Sequence, residues 1–417
     1  MQKKLLSLAI AGALAVPGVA MADVTSKNSD ITIYGKIHAS WDYITSDQNS
    51  GVDDNDDNTA AFRNSRLGLK GDEELKYGFK GIWQIETQIH TAENELQLRD
   101  TFVGLAHDKW GKVTLGRQDT PYKASTNHLD IFKDTVADYN NIIGTHLMND
   151  YDHDGDDTDN DGFKDSDGVT AASADVTAPI MNYNERSANL VMYETPQFYG
   201  LKAMVARESY SNPEDDSDDE YQGTSIAAIY DQGPFYASLA YEQWEGQAVG
   251  GVIDGSDPAG EGNNGATNRN NTDSFKLGLG YQFNGGDSKV HFVYEDIDHN
   301  EDNSIRSRDA MWAGVSHRIG ANEIKLAYAH ADDSELNTAD DDGGADTWSI
   351  GLDHHFSKRT KVYALYTHMD NDDNANYGLF KGDNNALDDD SGYDFFYTNP
   401  DAGDNIDAFA VGVVHSF

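Results

Sequence analysis

Cysteine and long apolar runs are both missing from this chain. None of its 417 residues is a cysteine, so an exported protein of this size must be held together without disulfide bonds. After residue 22 no apolar run approaches the ~18 residues that a membrane-spanning helix needs, and the mean hydropathy is −0.66. Two classes remain: a large soluble exported β protein, or a membrane β-barrel, in which only every second strand residue must be apolar.

Basic residues are also scarce. The chain has 30 lysines and arginines against 73 aspartates and glutamates, a formal net charge of −43 at pH 7. A protein this acidic repels phosphate backbones, so nucleic acid is excluded as an expected partner.

The first 22 residues have the organisation of a secretory signal peptide. Lys3 and Lys4 precede an apolar run over residues 5–16, and small residues lead up to Ala22. We expect cleavage after Ala22, which divides the chain into a signal peptide over 1–22 and one domain over 23–417.

Period-two alternation dominates the rest of the chain. Along residues 31–43 the odd positions are mostly apolar or aromatic and the even positions mostly polar, as expected for a strand with one lipid-facing and one water-facing side. Sixteen such strands can be counted. Their connections alternate between short turns, such as residues 284–287, and mostly long acidic loops, such as residues 371–405. This pattern favours an all-β fold, a transmembrane antiparallel barrel with short periplasmic turns and long extracellular loops.

One connection stands apart, because residues 119–180 form a loop of about 60 residues with no strand period. A loop of that length inside a compact domain is normally functional. Its first part mixes apolar residues with acids, and an insert at 149–168 is almost entirely Asp, Asn and Gly. We expect the first part, the third long loop of the barrel, to fold into the lumen and constrict it.

Several short motifs in a fixed order carry a resemblance to a known family. The chain resembles the general porins of Gram-negative outer membranes over nearly all of residues 23–417. The motifs are Ile33-Tyr34-Gly35-Lys36, Arg66-Leu67-Gly68-Leu69-Lys70-Gly71, Phe102-Val103-Gly104-Leu105, Leu115-Gly116-Arg117, Tyr193-Glu194-Thr195-Pro196 and the terminal Phe417. The resemblance implies a homotrimer in outer-membrane lipid and lipopolysaccharide that passes small hydrophilic solutes. It also implies that Phe417 is recognised by the barrel-assembly machinery.

The resemblance further implies a pore constriction built from charged residues. Basic residues on the wall would face carboxylates on the third loop. The wall positions are Lys36, Arg66, Arg99, Arg117 and Arg186, and the loop positions are Asp130 and Asp134. Five cations against two acids favour anions at the narrowest point, yet the acidic loops concentrate cations at the mouth. The sequence-based expectation is a weak cation preference that shrinks as salt rises.

The acidic insert also has the spacing of a calcium loop. Asp157, Asp159, Asp161 and Asp165 follow the D-x-D-x-D-G pattern, in which alternate carboxylates surround the ion. Gly168 stands where an EF-hand has its bidentate acid. The alternative is a solvated acidic loop, which Asp-rich segments elsewhere in the chain favour. No cofactor is otherwise required.

The main prediction is therefore a water-filled general diffusion porin, which is not an enzyme. Alternatives are a solute-specific outer-membrane channel, an outer-membrane hydrolase on a barrel, and a calcium-binding surface adhesin.

Overall fold

A computed structural model describes most of the chain. The described residues are 22–26, 29–47, 55–89, 97–149, 177–181, 183–184, 186–211, 220–246, 272–299, 307–332, 343–373, 375, 377–379 and 403–417. The expected signal peptide up to residue 21 and the acidic insert from Asp150 lie outside them.

Twenty strands occur in the described part. They are β1 (Ala22–Ser26), β2 (Ser29–Asp47), β3 (Asn55–Phe62), β4 (Arg66–Glu74), β5 (Phe79–Gln88), β6 (Thr101–His107), β7 (Gly111–Asp119), β8 (Thr145–Asn149), β9 (Thr177–Met181), β10 (Arg186–Glu194), β11 (Leu201–Ser211), β12 (Glu220–Gln232), β13 (Phe235–Gly246), β14 (Thr272–Phe283), β15 (Ser288–His299), β16 (Arg308–Ile319), β17 (Asn322–Ala331), β18 (Ala345–His355), β19 (Thr360–Asn371) and β20 (Asn405–Ser416). The one α-helix described is α1 (Pro121–Thr126). No helix among the described residues has the length and apolar character needed to cross a membrane.

Sixteen antiparallel strands close into a barrel, which confirms the predicted fold class. β3 and β4 together make one barrel strand, because both pair with β2. β1 pairs with the start of β2, and β8 pairs only with β9 outside the barrel sheet. The first and last barrel strands meet between β2 and β20, where Lys36 lies opposite Ser416. Phe417 completes the closure: its N–H donates to Gly35 O at 3.1 Å and its carbonyl accepts from Gly35 N at 3.0 Å.

Alternation along the strands separates two faces. In β16 the inward side chains, such as Trp312, are buried, whereas the outward Met311 and Val315 are exposed. Outward apolar side chains recur around the barrel, as a lipid-facing surface requires. The short turns predicted from the sequence join strands at one end, for example at Gly320 between β16 and β17.

Of the sixteen strands counted in the sequence, one over residues 59–70 and one beginning at residue 181 differ most from the structure. The predicted strand over residues 59–70 is interrupted at 63–65, where Asn64 has a φ of 47°. This break accompanies the burial of Arg63, whose guanidinium donates to Asp42 Oδ2 at 2.5 Å. The strand predicted from residue 181 begins at Arg186 instead, because residues 177–181 pair with β8.

Candidate pore constriction

The third loop leaves β7 and enters the lumen through helix α1. Thr120 caps the helix by accepting the Lys123 N–H through its hydroxyl, and Pro121 fills the first helical position, where its missing N–H costs nothing. The Tyr122 N–H donates to Ser225 Oγ on β12 at 3.0 Å. The helix therefore lies against the inner wall and does not project from the barrel.

The tip of the loop docks into recesses that glycines leave in the inner wall. A Cβ built on Gly278 would lie 3.0 Å from Leu129, and one on Gly351 would lie 2.6 Å from Phe132. Phe132 is fully buried, and Lys325 Nζ lies over its ring at 4.7 Å from the centroid. Since side chains at these wall positions would collide with the loop, the glycines hold the tip close to β14–β18.

The returning part of the loop is fixed by a buried carboxylate on β15. Glu295 accepts the Gly144 N–H at 2.6 Å and the Tyr122 hydroxyl at 2.9 Å. It also forms ion pairs with Lys276 at 3.3 Å and Arg308 at 3.1 Å, and all three charged side chains are fully buried. Removing one member of such a network would leave uncompensated buried charge.

Asp130 and Asp134, the two predicted loop carboxylates, have different surroundings. Asp130 turns back into the loop: Oδ1 accepts the Phe132 N–H at 2.7 Å and Oδ2 accepts the Tyr139 N–H at 3.1 Å. Burial and the nearby carboxylate of Asp138 raise the Asp130 pKa well above its usual value. Asp130 thus organises the loop backbone and does not face the passage.

Asp134 faces the barrel wall and forms an ion pair with Lys36, which unites two predicted residues. Its φ of 63° is left-handed, a conformation that aspartate and asparagine adopt more readily than most residues. Burial opposes its ionisation, but Lys36, Arg66 and Lys133 outweigh burial and hold the Asp134 pKa well below its usual value. The structure therefore places Asp134 in a cationic environment.

Arg66 and Arg99 belong to the same charged group, but only Arg99 forms an ion pair with a described carboxylate. Arg99 Nε donates to Glu86 Oε1 at 2.8 Å, and its Nη1 donates to Asn64 Oδ1 at 2.6 Å. Arg66 is half-buried, and its side chain has no ion pair or hydrogen bond with any other described residue. The guanidinium of Arg66 is therefore available to solutes.

Arg186 belongs to a neighbouring group of charges. It pairs with Asp100 at 2.9 Å and with Asp119 at 3.2 Å. Lys123 of the helix approaches Asp119 to 3.8 Å. These pairs connect the start of β10 to the beginning of the third loop.

Arg117 is the predicted wall residue for which strand alternation and the resemblance disagree. On β7 the inward Thr114 and Gln118 hydrogen-bond to each other at 2.9 Å, while Val113 and Leu115 are exposed on the outer surface. By strand alternation, Arg117 lies on the face opposite to Thr114 and Gln118 and on the same face as Val113 and Leu115. Strand alternation thus speaks against a pore-lining Arg117, although its side chain is half-buried and not exposed like those of Val113 and Leu115, and the pore-lining role stays a prediction.

Five charged residues at the constriction were not predicted from the sequence: Glu86, Asp100, Asp119, Lys123 and Lys133. Glu86 has a local signal, since it alternates with apolar neighbours on β5. The Lys133 ammonium donates to Asn127, and no carboxylate of the described chain forms an ion pair with it. Its position depends on the path of the loop, which strand periodicity does not reveal.

The charged residues of the constriction carry a surplus of positive charge. Six cations lie at the constriction with four carboxylates that are ion-paired to them, while burial raises the pKa values of Asp130 and Asp138 inside the loop. The cations are Lys36, Arg66, Arg99, Lys123, Lys133 and Arg186, and the carboxylates are Glu86, Asp100, Asp119 and Asp134. Arg66 and Lys133 are the two cations without a carboxylate partner among the described residues.

Comparisons with known proteins match most of the chain. A family model described as Gram-negative porin matches residues 7–374. Outer membrane porin protein 32 of Delftia acidovorans is 27% identical over 388 residues, covering 91% of this chain and 92% of that protein. Major outer membrane protein P.IB of Neisseria meningitidis serogroup A is 25% identical over 367 residues, covering 87% and 91%.

Solved structures share the fold. An anion-selective porin from Comamonas acidovorans superposes with a TM-score of 0.66 at 23% identity, covering 93% of this chain and 100% of that one. A trimer form of in-vitro folded OmpT of Vibrio cholerae superposes with a TM-score of 0.57 at 15% identity, covering 94% and 100%.

Proposed function

The chain belongs to the Gram-negative porin family, and we propose that it is a homotrimeric general diffusion porin whose constriction favours small hydrophilic anions. As a member of this family it is an outer-membrane channel and not an enzyme. Solutes would cross its water-filled lumen passively, selected by the size of the constriction and by the charges around it.

One observation carries the choice of anions. Arg66 and Lys133 lack carboxylate partners in the described structure, while the constriction's four acids are ion-paired. The fold shared with an anion-selective porin supports the same sign. An anion preference at the constriction therefore replaces the weak cation preference expected from the sequence. The formal net charge of −43 acts against it over the whole chain, and salt screens exposed charges.

The test is the reversal potential of the purified protein in a planar bilayer under a potassium chloride gradient. At about 0.1 M mean salt, where the Debye length is about 10 Å, we expect anion preference; it should weaken at about 0.01 M, where that length is about 30 Å. A cation preference at both concentrations would contradict the proposed sign but not the channel itself.

Assembly and export form a second part of the proposal. We propose a homotrimer in outer-membrane lipid and lipopolysaccharide, assembled after removal of residues 1–22 and recognised at its end by the barrel-assembly machinery. Phe417 is ordered against Gly35 at the closing seam, which supports a role for this end in assembly. Unheated samples should migrate as a trimer on gels, and bilayer openings should come in threes. A monomer with single openings refutes the trimer.

The calcium hypothesis for Asp157, Asp159, Asp161 and Asp165 remains a prediction, because these residues lie outside the described part. Replacing all four by asparagine should abolish any calcium-dependent shift of the reversal potential.

The solute-specific alternative predicts saturation of the current by one solute; the adhesin alternative predicts release of the protein by chelator.

A further inference from the structure

The inner wall on one side of the barrel carries fully buried apolar side chains near its extracellular end. Ile44 on β2, Ala61 on β3, Met369 on β19 and Ile406 on β20 all point inward and are fully buried. A water-filled porin normally lines its lumen with polar residues. Something must therefore cover this part of the wall.

The cover comes from the connection between β19 and β20. Ala375, Tyr377 and Leu379 follow β19 directly, and all three side chains have no exposed area. They belong to the same apolar cluster as the four wall residues. The start of this last extracellular connection therefore folds inward, onto the wall.

Asn371, the last residue of β19, fixes that inward turn. Its side-chain amide donates to Tyr377 O at 3.0 Å and to Asp404 O at 2.8 Å, and its Oδ1 accepts the Tyr377 N–H at 2.9 Å. The Gly403 N–H adds a bond to Ala375 O at 2.9 Å. Because these bonds satisfy the polar backbone of the buried turn, the segment can remain packed without solvent.

The covered cluster continues into the third loop. Phe132, Val136, Tyr139, Ile142 and Ile143 of that loop belong to the same apolar cluster as the three buried residues after β19. Two inward-folded segments thus share one core inside the barrel. Most of the wall charges of the constriction lie on the other side, along β4–β7 and at the start of β10, whereas Lys36 lies on β2, nearer the start of that strand than Ile44.

We propose that the buried residues after β19, 375 and 377–379, form a second constriction element, which fills the side of the lumen lined by β2, β3, β19 and β20. With the third loop it confines the water passage to the side of β4–β7. The third loop and the wall supply charge selectivity, whereas this segment limits the size of the solutes that pass. Tyr377 and Leu379 supply the packing, and Asn371 is a positioning residue.

Thiol accessibility tests this packing directly, and the chain has no cysteine of its own to interfere. The reporter is Ala61→Cys on the covered wall, and the matched control is His128→Cys, an exposed residue of the third loop. A charged thiol reagent should label the reporter about 100-fold more slowly than the control. A covered thiol reacts only while the segment is open, and each factor of ten in rate corresponds to about 1.4 kcal/mol of opening free energy. Equal labelling of the two cysteines overturns the proposal.

The same reporter then reveals what covers it. In a Tyr377→Ser/Leu379→Ser background, Ala61→Cys should become labelled within about tenfold of the control. Leu379→Ser alone should give an intermediate rate, which keeps the test valid if the double variant does not fold as a heat-modifiable oligomer. An unchanged rate in folded variants refutes the assignment.

Solute size gives an independent measurement. The double variant should raise single-channel conductance and admit larger neutral sugars in liposome swelling, with the sign of the reversal potential unchanged. The control is Phe198→Ser/Tyr199→Ser, which alters an exposed aromatic pair in the turn before β11. If conductance stays at the control value, the segment is no size filter; the anion proposal is unaffected either way.

Discussion

Replacement of Asp134 by asparagine removes one negative charge from the constriction while preserving its shape. Asparagine tolerates the left-handed φ of 63° and its amide oxygen still accepts from Lys36. The surplus of positive charge therefore grows by one without a new cavity. We expect Asp134→Asn to increase the preference for anions, and Lys36→Met to decrease it.

The size of the effect follows from Coulomb's law. A unit charge acts on an ion about 5 Å away in water with about 0.8 kcal/mol. Screening at about 0.1 M salt, with a Debye length of about 10 Å, reduces this to about 0.5 kcal/mol. At about 1.4 kcal/mol per factor of ten, the local anion concentration rises about twofold, and the cation concentration falls equally. The anion-to-cation permeability ratio should therefore rise about fivefold.

The assay is the reversal potential in a potassium chloride gradient, measured beside Asp231→Asn, which removes the same charge from the exposed end of β12. The pKa of Asp134 is depressed in the folded protein. Its ionised form therefore stabilises the fold above the pKa of the unfolded chain, and both the charge and this stability are lost only as the pH falls through the pKa of the folded protein. The difference in reversal potential between wild type and Asp134→Asn should therefore persist from pH 7 to about pH 4. A reversal potential in Asp134→Asn equal to that of Asp231→Asn would refute this account of the constriction.

Three further substitutions test other parts of the site. Asp130→Asn should leave the reversal potential unchanged, because this carboxylate binds the loop's own backbone. A shift of the reversal potential as large as that of Asp134→Asn would contradict that role. Gly351→Val should displace Phe132, cost about 1–3 kcal/mol and change conductance, whereas Gly81→Ala meets nothing closer than 3.8 Å and should not. Glu295→Gln leaves a buried lysine and arginine without their carboxylate, so the trimer should lose about 3–5 kcal/mol and dissociate at lower temperature on gels; an unchanged dissociation temperature argues against this network.

Strand number and the closing of the barrel follow from local patterns. Each strand carries its own period of two, and each short turn carries its own turn residues, so residues close in sequence define them. The break at Arg63 is different, because it depends on Asp42 across the sheet. A pattern read along one strand does not contain that partner.

Site residues were predictable where strand alternation fixes the side-chain direction. Lys36 alternates with apolar neighbours and does reach the loop. Arg117 was placed by resemblance, and its alternation with the inward Thr114 and Gln118 disagrees with that placement. Inside the loop no period exists, so the different orientations of Asp130 and Asp134 follow only from the fold of residues 130–139.

The covered side of the lumen does leave a trace in the sequence, because it changes the pattern of its strands. Along β4 the inward Arg66 and Lys70 alternate with outward Leu67 and Leu69, as in a strand that meets water on one side. β20 carries apolar residues on both faces: its inward row is Ile406, Ala408 and Ala410, and its outward row is Phe409, Val411 and Val413. A strand buried on both faces reads as a nearly continuous apolar run. In a porin barrel such an apolar run therefore identifies a strand whose inner face is covered. Here the signal comes from the sequence of β20 alone, without the sequence of the segment that covers it.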